Sequence, residues 1–572
     1  MTSTKDNLGA KTVATELMGD LWPASHPAED PVTYGYVTLD PSDPVEVRSA
    51  QSFKLVYHVG RYGIDDTGSI RIVWRYMGDQ GDLQTEDPKA YNYVTAQPSN
   101  NSRLRLSYGK TAGQRPWLRS LTIQLHGGFL REGDTITVNI GDTSGGSPGL
   151  QMQTMVERGF EFKVLADVCA TGHFFPLVES PAIEVVPGSP ERWKAVISTL
   201  RRPGEKFEFG LKAEDLWGNP TPHANGTFKL ESSMAVKGLP TTVEFPHGEK
   251  ALVLENLSVD AEGELRIRVL DKDGTQVAEA GPMIVRKGDV AGYWGDLHGQ
   301  SGESIGITTS RDYFNFARNL AFLEVSGHQA NDFQVNNAFW KYLNELTAEY
   351  QEDHRFVVFP GYEWSGNTSV GGDRNVYFRT EGRQIHRSSH ALIADRSDIN
   401  TDATTANDLF ESLKDEDCTI YAHVGGRYAD IGYAHDPKLE TAMEIHSAWG
   451  TFEWLLTDGF PLGHRSGVVC NSDGHKGRPG ASYPGTSMFG AYGGLTCFIA
   501  KELTRDGIFE AMRRRHHYGT TGCRLHMEVN AHFDKPSTLF ERDPNAFDNP
   551  KSHSVTDVMM GDIVQTSCDE VE

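Results

Sequence analysis

From about residue 45 to residue 288, apolar residues recur at every second position in short runs, and no helical period separates the runs. Examples are Phe53-Lys54-Leu55-Val56-Tyr57, Arg71-Ile72-Val73-Trp74-Arg75-Tyr76, Leu121-Thr122-Ile123-Gln124-Leu125 and Thr135-Ile136-Thr137-Val138-Asn139-Ile140. A strand alternates its side chains between two faces, so each run has one face to bury. Repeated with turn residues between, such runs predict antiparallel β-structure, and residues 45–185 are expected to form a β-sandwich behind a Pro- and Asp-bearing lead-in at 1–44. With 59 glycines and 27 prolines, the chain has the turn residues this needs, and 141–149 (GDTSGGSPG) reads as a loop.

A second β-unit is expected over 186–288. Phe207, Phe209, Leu211 and Ala213 alternate with Glu208, Gly210 and Lys212, and Leu265, Ile267 and Val269 alternate with Arg266 and Arg268. Asp215-Leu216-Trp217-Gly218-Asn219-Pro220 resembles the Asp-x-x-Gly-Asn-Pro turn of immunoglobulin-like bacterial domains, which supports an immunoglobulin-like reading.

Near residue 289 the pattern changes. Apolar strand-like runs alternate with helical segments at 332–350, 405–414 and 505–515, which predicts an α/β region with a mainly parallel sheet over 289–523. Residues 524–572 return to a β-rich pattern. The 289–526 stretch holds 13 of the 21 histidines, and several stand at the ends of apolar runs. The runs lead in turn to His298, His328, Glu363, His423, His446 and the Asp473-Gly474-His475 segment, while Asp373-Arg374-Asn375 opens another. His298 with Gln300, Glu444 with His446, and Asp473 with His475 are i, i+2 pairs, and strand alternation points each pair to one side. Parallel strands ending this way would converge imidazoles and carboxylates on one spot. Mixed N/O donors of this kind suit Zn, Mn or Fe, and such an ion makes a hydroxide nucleophile near neutral pH. His354, His435, His464, His516 and His517 fit no strand end, and His386 and His390 fall in a loop.

The net charge of −24 excludes a broad nucleic-acid surface, and the longest basic run, Arg513 to His517, is too short for one. Residues 1–30 hold no secretory core and no window has the ~18 apolar residues of a membrane helix, so no membrane partner is expected. The six cysteines are scattered, and the expected location is the reduced cytoplasm. There is no HExxH or GxSxG, and Gly109-Lys110-Thr111 lacks the upstream glycine of a phosphate-binding loop.

Gly295-Asp296-Leu297-His298-Gly299-Gln300-Ser301 resembles the opening Asp-Leu-His-x-His motif of the polymerase-and-histidinol-phosphatase (PHP) superfamily. Gly361-Tyr362-Glu363-Trp364, Arg374-Asn375-Val376, Tyr421-Ala422-His423 and Ser472-Asp473-Gly474-His475 resemble its later motifs. Together they look most like a PHP-like branch known as a domain of unknown function, with β-rich sequence before the barrel; residues 513–524 resemble its closing motif. The resemblance covers about 289–562. It implies a distorted, TIM-like (β/α)7 barrel with two or three divalent metals, and one to three divalent transition metals are expected in this chain. By motif, the implied metal ligands are His298, His328, Glu363, His423, Asp473 and His475. Gln300 stands where the second His of the first motif is expected, Gly327 where an Asp precedes His328, and Asp373 where a His often precedes Arg-Asn. These departures favour a one- or two-metal site, with Gln300, Asp373, Glu444 and His446 as further metal ligands or as supports for them.

The expected function is a metal-dependent hydrolase acting on a small organic ester, amide or phosphoester, with Asp473, His475 and Arg374 as catalytic candidates. Arg374 fits an anionic substrate group or an intrachain salt bridge equally well. Tyr362, Trp364 and Trp449 fit either a pocket wall, beside Arg374, or the core. The alternatives are a metal-dependent lyase and a binding protein with a degenerate site.

Overall fold

The computed structural model describes residues 31–481 and 491–568; most of the expected lead-in, and the last residues of the C-terminal extension, lie outside them. Strands make up 39% of the chain and helices 13%. The chain divides into two units, one containing residues 31–188 with Gly302–Thr309, the other the remainder of the described residues.

In the first unit the alternating runs pair antiparallel. Phe53–His58 lies between Tyr36–Asp40 and Thr135–Ile140, and the latter also pairs Val94–Pro98. A second sheet orders Phe175–Pro176, Lys163–Asp167, Ser69–Trp74, Arg119–His126 and Arg103–Gly109. The alternation puts Leu55, Tyr57, Ile70, Ile72, Leu121, Ile123 and Val138 inside, each at most 1% exposed.

The second unit opens with a β-module whose core gathers Phe207, Phe209, Leu211, Leu265, Ile267 and Val269. Its Asp215 turn closes as the sequence indicates: Asp215 Oδ1 accepts from the backbone N–H groups of Trp217 and Asn219, and Gly218 takes φ 81°. Leu200–Arg201 joins this module to the following lobe by pairing both Gln276–Val285 and Ala291–Asp296. Two of the lobe's longer helices start at side-chain caps. Asn336 accepts from the Phe339 N–H, and Thr405 and Asp408 form a reciprocal box. Ile508, Phe509 and Met512 bury the inner face of Arg505–Arg514.

The lobe is not a (β/α)7 barrel, TIM-like or otherwise. Ala291–Asp296, Val325–Gly327 and Val357–Phe359 run parallel, with helices Ser310–Asn319 and Asn337–Tyr350 between them. The alternation then stops. Pro360 separates Val357–Phe359 from Gly361–Trp364, which begins a different sheet. Residues 365–373 are too few for the crossover of a dozen or more residues that a parallel return requires, so Arg374–Phe378 pairs antiparallel with Gly361–Trp364. Cys418–Ala422 is antiparallel to Arg374–Phe378 in turn, and Leu495–Ala500 is antiparallel to Ala291–Asp296. The strands fall into a ten-stranded and a six-stranded sheet rather than a closed ring. No helix among the described residues is long and apolar enough to cross a membrane.

His517, on the strand His517–Thr520, is 4% exposed and its Nδ1 donates to the Val468 carbonyl. Burial pushes its imidazole down to about 4. The unfolded chain protonates it near ~6.5, so between these values the unfolded state holds the extra proton and stability falls as pH drops. We expect His517→Gln to flatten the pH dependence of urea unfolding between about pH 6.5 and 4 relative to the unmodified protein. An unchanged slope would show that this imidazole does not titrate on unfolding.

Candidate metal centre

Two chain segments are zipped together to make the site. Asp296 ends its strand with both carboxylate oxygens engaged: Oδ1 accepts from Ser472 N at 2.9 Å and Oδ2 from Gly480 N at 2.8 Å. Leu297 N donates to Asn471 Oδ1, Ser472 Oγ to the His298 carbonyl, and Gln300 N to the Gly474 carbonyl. Asp473 is held at φ 45°, a left-handed conformation costly for a residue with a side chain. From the six-stranded sheet, the antiparallel register sets Glu363 opposite Asn375 and Asn375 opposite Tyr421. Opposed residues share a face, and the period of two adds Asp373 and His423 to it.

These groups converge. His298 is wholly buried, and its Nδ1 donates to Glu444 Oε1 at 2.9 Å. Asn471 Nδ2 donates to the other Glu444 oxygen at 2.7 Å. A donating Nδ1 leaves Nε2 as the nitrogen that can give up its proton and offer a lone pair to an ion. That Nε2 lies 3.3 Å from Asp473 Oδ1 and 3.8 Å from Glu363 Oε2. His423 Nε2 lies 3.6 Å from Glu363 Oε1. Gln300 Nε2 donates to Glu363 Oε2 at 2.9 Å, so this amide steadies a carboxylate of the cluster.

Burial alone would lower an imidazole pKa, but the Asp473 and Glu444 carboxylates outweigh it at His298 and hold it well above the ordinary value. At Glu363 burial acts upward, and the His298 and His423 imidazoles overcome it, holding the carboxyl well below the usual range. Asp373 goes the other way: burial and then the Glu363 charge push it up to about 7, against Arg427 and His423. The cluster as a whole draws in positive charge.

The donor set fits a divalent ion. His298 Nε2 and both His423 ring nitrogens are buried without a hydrogen-bond partner, and a cation would take one lone pair from each ring. Two donors each ~2.1 Å from a tetrahedral ion stand about 3.4 Å apart, which is the spacing seen here. The ligand atoms of His298, His423 and Asp473 lie within 4.8 Å of one another, as do those of Glu363, Asp373 and His423. Glu444 backs His298 as carboxylates commonly back metal-bound histidines.

Other candidates stand apart. His328 Nε2 meets Ser301 Oγ at 2.9 Å, and its ring is caged by Tyr313 and Phe339. Burial pushes it down to about 3. A Cβ on Gly327 would come 2.9 Å from the Leu297 carbonyl, which is why no carboxylate stands there. His446 uses Nδ1 on Thr451 and Nε2 on the Tyr492 carbonyl. His475 sits beside Asp473, its Nδ1 donating to the Asp473 carbonyl, outside both donor trios. Arg374 is fully buried: Nε donates to Glu440 at 2.9 Å, and its other nitrogens donate to the carbonyls of Gly371, Gly372 and Ala434. Tyr362 packs on Trp340 and Phe378, and Trp364 donates to the Ala403 carbonyl; both are core. Trp449 is half-buried near Gly426. A cavity of about 800 Å³, lined by Arg201, Glu205, Tyr293, Glu324 and Arg355 among others, involves none of the cluster.

Sequence reasoning missed Asp296, Asn471 and Arg427. Asp296 carried a readable signal, since it shares parity with His298 on one strand end. Arg427 lies in a glycine-bearing loop without periodicity.

Comparison with known proteins adds relatives without an assigned role. A family model described as a protein of unknown function (DUF3604) matches residues 468–570. An uncharacterized protein of Chlamydia pneumoniae is 24% identical over 353 residues, covering 57% of this chain. The chain spans only 55% of that relative's length. An uncharacterized protein of Chlamydia trachomatis is 22% identical, with 69% of this chain and 66% of the relative covered. Among solved structures, the Yersinia pseudotuberculosis adhesin InvE matches at 10% identity and TM-score 0.13, covering 42% of this chain and 56% of that one. The collagen adhesin of S. aureus matches at 8% identity and TM-score 0.14, covering 44% and 92%. At these scores neither carries a fold assignment.

Removing Arg374 leaves the buried Glu440 carboxylate with only the His435 imidazole, 3.0 Å from Oε1, beside it. Arg374→Met is expected to cost ~3–5 kcal/mol in unfolding free energy, as broken buried ion pairs do. Denaturant titration checks this, and a variant of unchanged stability would return Arg374 to the candidates for substrate binding.

Proposed function

We propose that this protein is a metal-dependent hydrolase of a small organic ester, amide or phosphoester, with its ion held by His298, His423 and Asp473 and with Glu363 beside it. The observation that supports the reading is the meeting of unpartnered, buried imidazole nitrogens with carboxylate oxygens at ligand spacing. The likeness of these segments to PHP motifs points the same way and does not depend on a closed barrel. A divalent ion bound there would act as a Lewis acid on a substrate oxygen and would acidify water.

The chain's own groups have separable tasks in this reading. Glu444 orients His298 and fixes its tautomer through Nδ1. Asn471 and Gln300 each hold one carboxylate, of Glu444 and Glu363, so that the donors do not swing apart. Asp473 brings its carboxylate in through a strained backbone that the Asp296–Ser472 tie enforces. His475 donates from Nδ1 to the Asp473 carbonyl, which ties its ring to the segment that carries Asp473.

The test is turnover of chromogenic carboxylic esters, anilides and phosphoesters by chelator-stripped and reloaded protein. Stripping should abolish turnover, and Zn, Mn or Fe should restore it. Asp473→Ala should lose 10- to 100-fold or more while keeping its circular dichroism. Full activity in the stripped protein, or in Asp473→Ala, would contradict the proposal.

A further inference from the structure

Glu363, Asp373 and His423 form a second donor trio beside the first. A cation already stands on it. Arg427 Nε donates to Asp373 Oδ1 at 2.7 Å, and Arg427 N donates to Asp373 Oδ2 at 3.1 Å. A terminal guanidinium nitrogen lies 3.5 Å from Glu363 Oε1. The arrangement is built into the backbone, because Asp373 N donates in return to the Arg427 carbonyl at 2.8 Å. The guanidinium also lies 5.4 Å from the centre of the Phe333 ring. The loop that carries it fits closely: a Cβ on Gly425 would come 2.9 Å from Asp373 Oδ2 and 3.2 Å from His423 Cε1.

The charges require this. Glu363, Asp373, Glu444 and Asp473 are each at most 3% exposed. Buried carboxylates without counter-charge are severely destabilising, and one divalent ion on neutral imidazoles balances only two of the four. Both Asp373 oxygens are spent on Arg427, and Glu363 Oε1 faces it. A guanidinium is always protonated and its planar fork matches carboxylates, which makes it a permanent occupant where an ion would be exchangeable.

We propose that Arg427 is the built-in second cation of this centre: it holds the Glu363–Asp373 pair, so the chain binds one divalent ion at His298, His423 and Asp473 rather than two. The proposal rests on the metal reading above and gives Arg427 a positioning role, setting the stoichiometry of the site and fixing Glu363.

Metal content of the full chain tests it without reference to activity. Stripped protein is equilibrated with Zn²⁺, desalted and assayed by elemental analysis, with circular dichroism as the check on folding. The expected result is one ion per chain in the unmodified protein and in Arg427→Lys, and two in Arg427→Met. Two ions in the unmodified protein overturn the proposal but leave the metal reading standing. So does one ion in a folded Arg427→Met. No ion in the unmodified protein overturns both. If Arg427→Met does not fold, Asp373→Asn decides: one ion bound within a few-fold of the original affinity supports the proposal. A tenfold or greater loss makes Asp373 a metal ligand and overturns it.

Discussion

His298 is an imidazole sealed from water with a carboxylate on one side and two more on the other. Its bond to Glu444 decides what the remaining nitrogen can do, because Nδ1 must carry the proton it donates. Nε2 is thereby aimed at Asp473 and Glu363. In a dry interior these charges cannot be left to solvent, so the surrounding structure is arranged either to hold a cation or to supply one. The Glu440–Arg374 pair, just outside the cluster on the same sheet, answers the same demand with a purely structural ion pair.

The fold delivers these groups from two sheets. One ends at Asp296 and presents His298; the other presents Glu363, Asp373 and His423 from neighbouring strands. Pro360 allows the switch, since it has no N–H to continue the ladder and the chain passes from one sheet to the other across it. The tie of Asp296 to Ser472 and Gly480 then fixes how the loop after Gly467–Cys470 meets the end of the first strand. Close approach of backbones at Gly327 excludes a further carboxylate and leaves His328 to the aromatic core.

The strand runs were legible because alternation is local: Phe53, Leu55 and Tyr57 could be assigned to one buried face from spacing alone. Which strands pair, and in which direction, is not local. The expected parallel barrel failed where 365–373 proved too short for a crossover, a length readable in the sequence but outweighed by the strand-and-helix rhythm on either side. The same alternation rule picked out His298, Glu444 and Asp473 as members of the centre. It also pointed to Gln300, which bonds Glu363, but it failed for His446 and His475 for physical reasons. A register shift between Glu444 and His446 lets the His446 imidazole bond Thr451 and the Tyr492 carbonyl. The left-handed backbone at Asp473 breaks the alternation that would have carried His475 in beside it. Arg374 was singled out in place of Arg427 because strand motifs stand out in a sequence and loop residues do not. Yet Arg374 and Asp373 are adjacent on one strand end and point to opposite faces.

Anomalous diffraction from crystals of the metal-loaded protein, collected on both sides of the absorption edge of the loaded metal, tests the central claim most directly. The account predicts an anomalous peak within about 2.0–2.3 Å of His298 Nε2, a His423 ring nitrogen and an Asp473 oxygen, with His298 Nδ1 still bonded to Glu444. A peak elsewhere with this cluster empty, or His298 turned so that Nε2 faces Glu444, would contradict it.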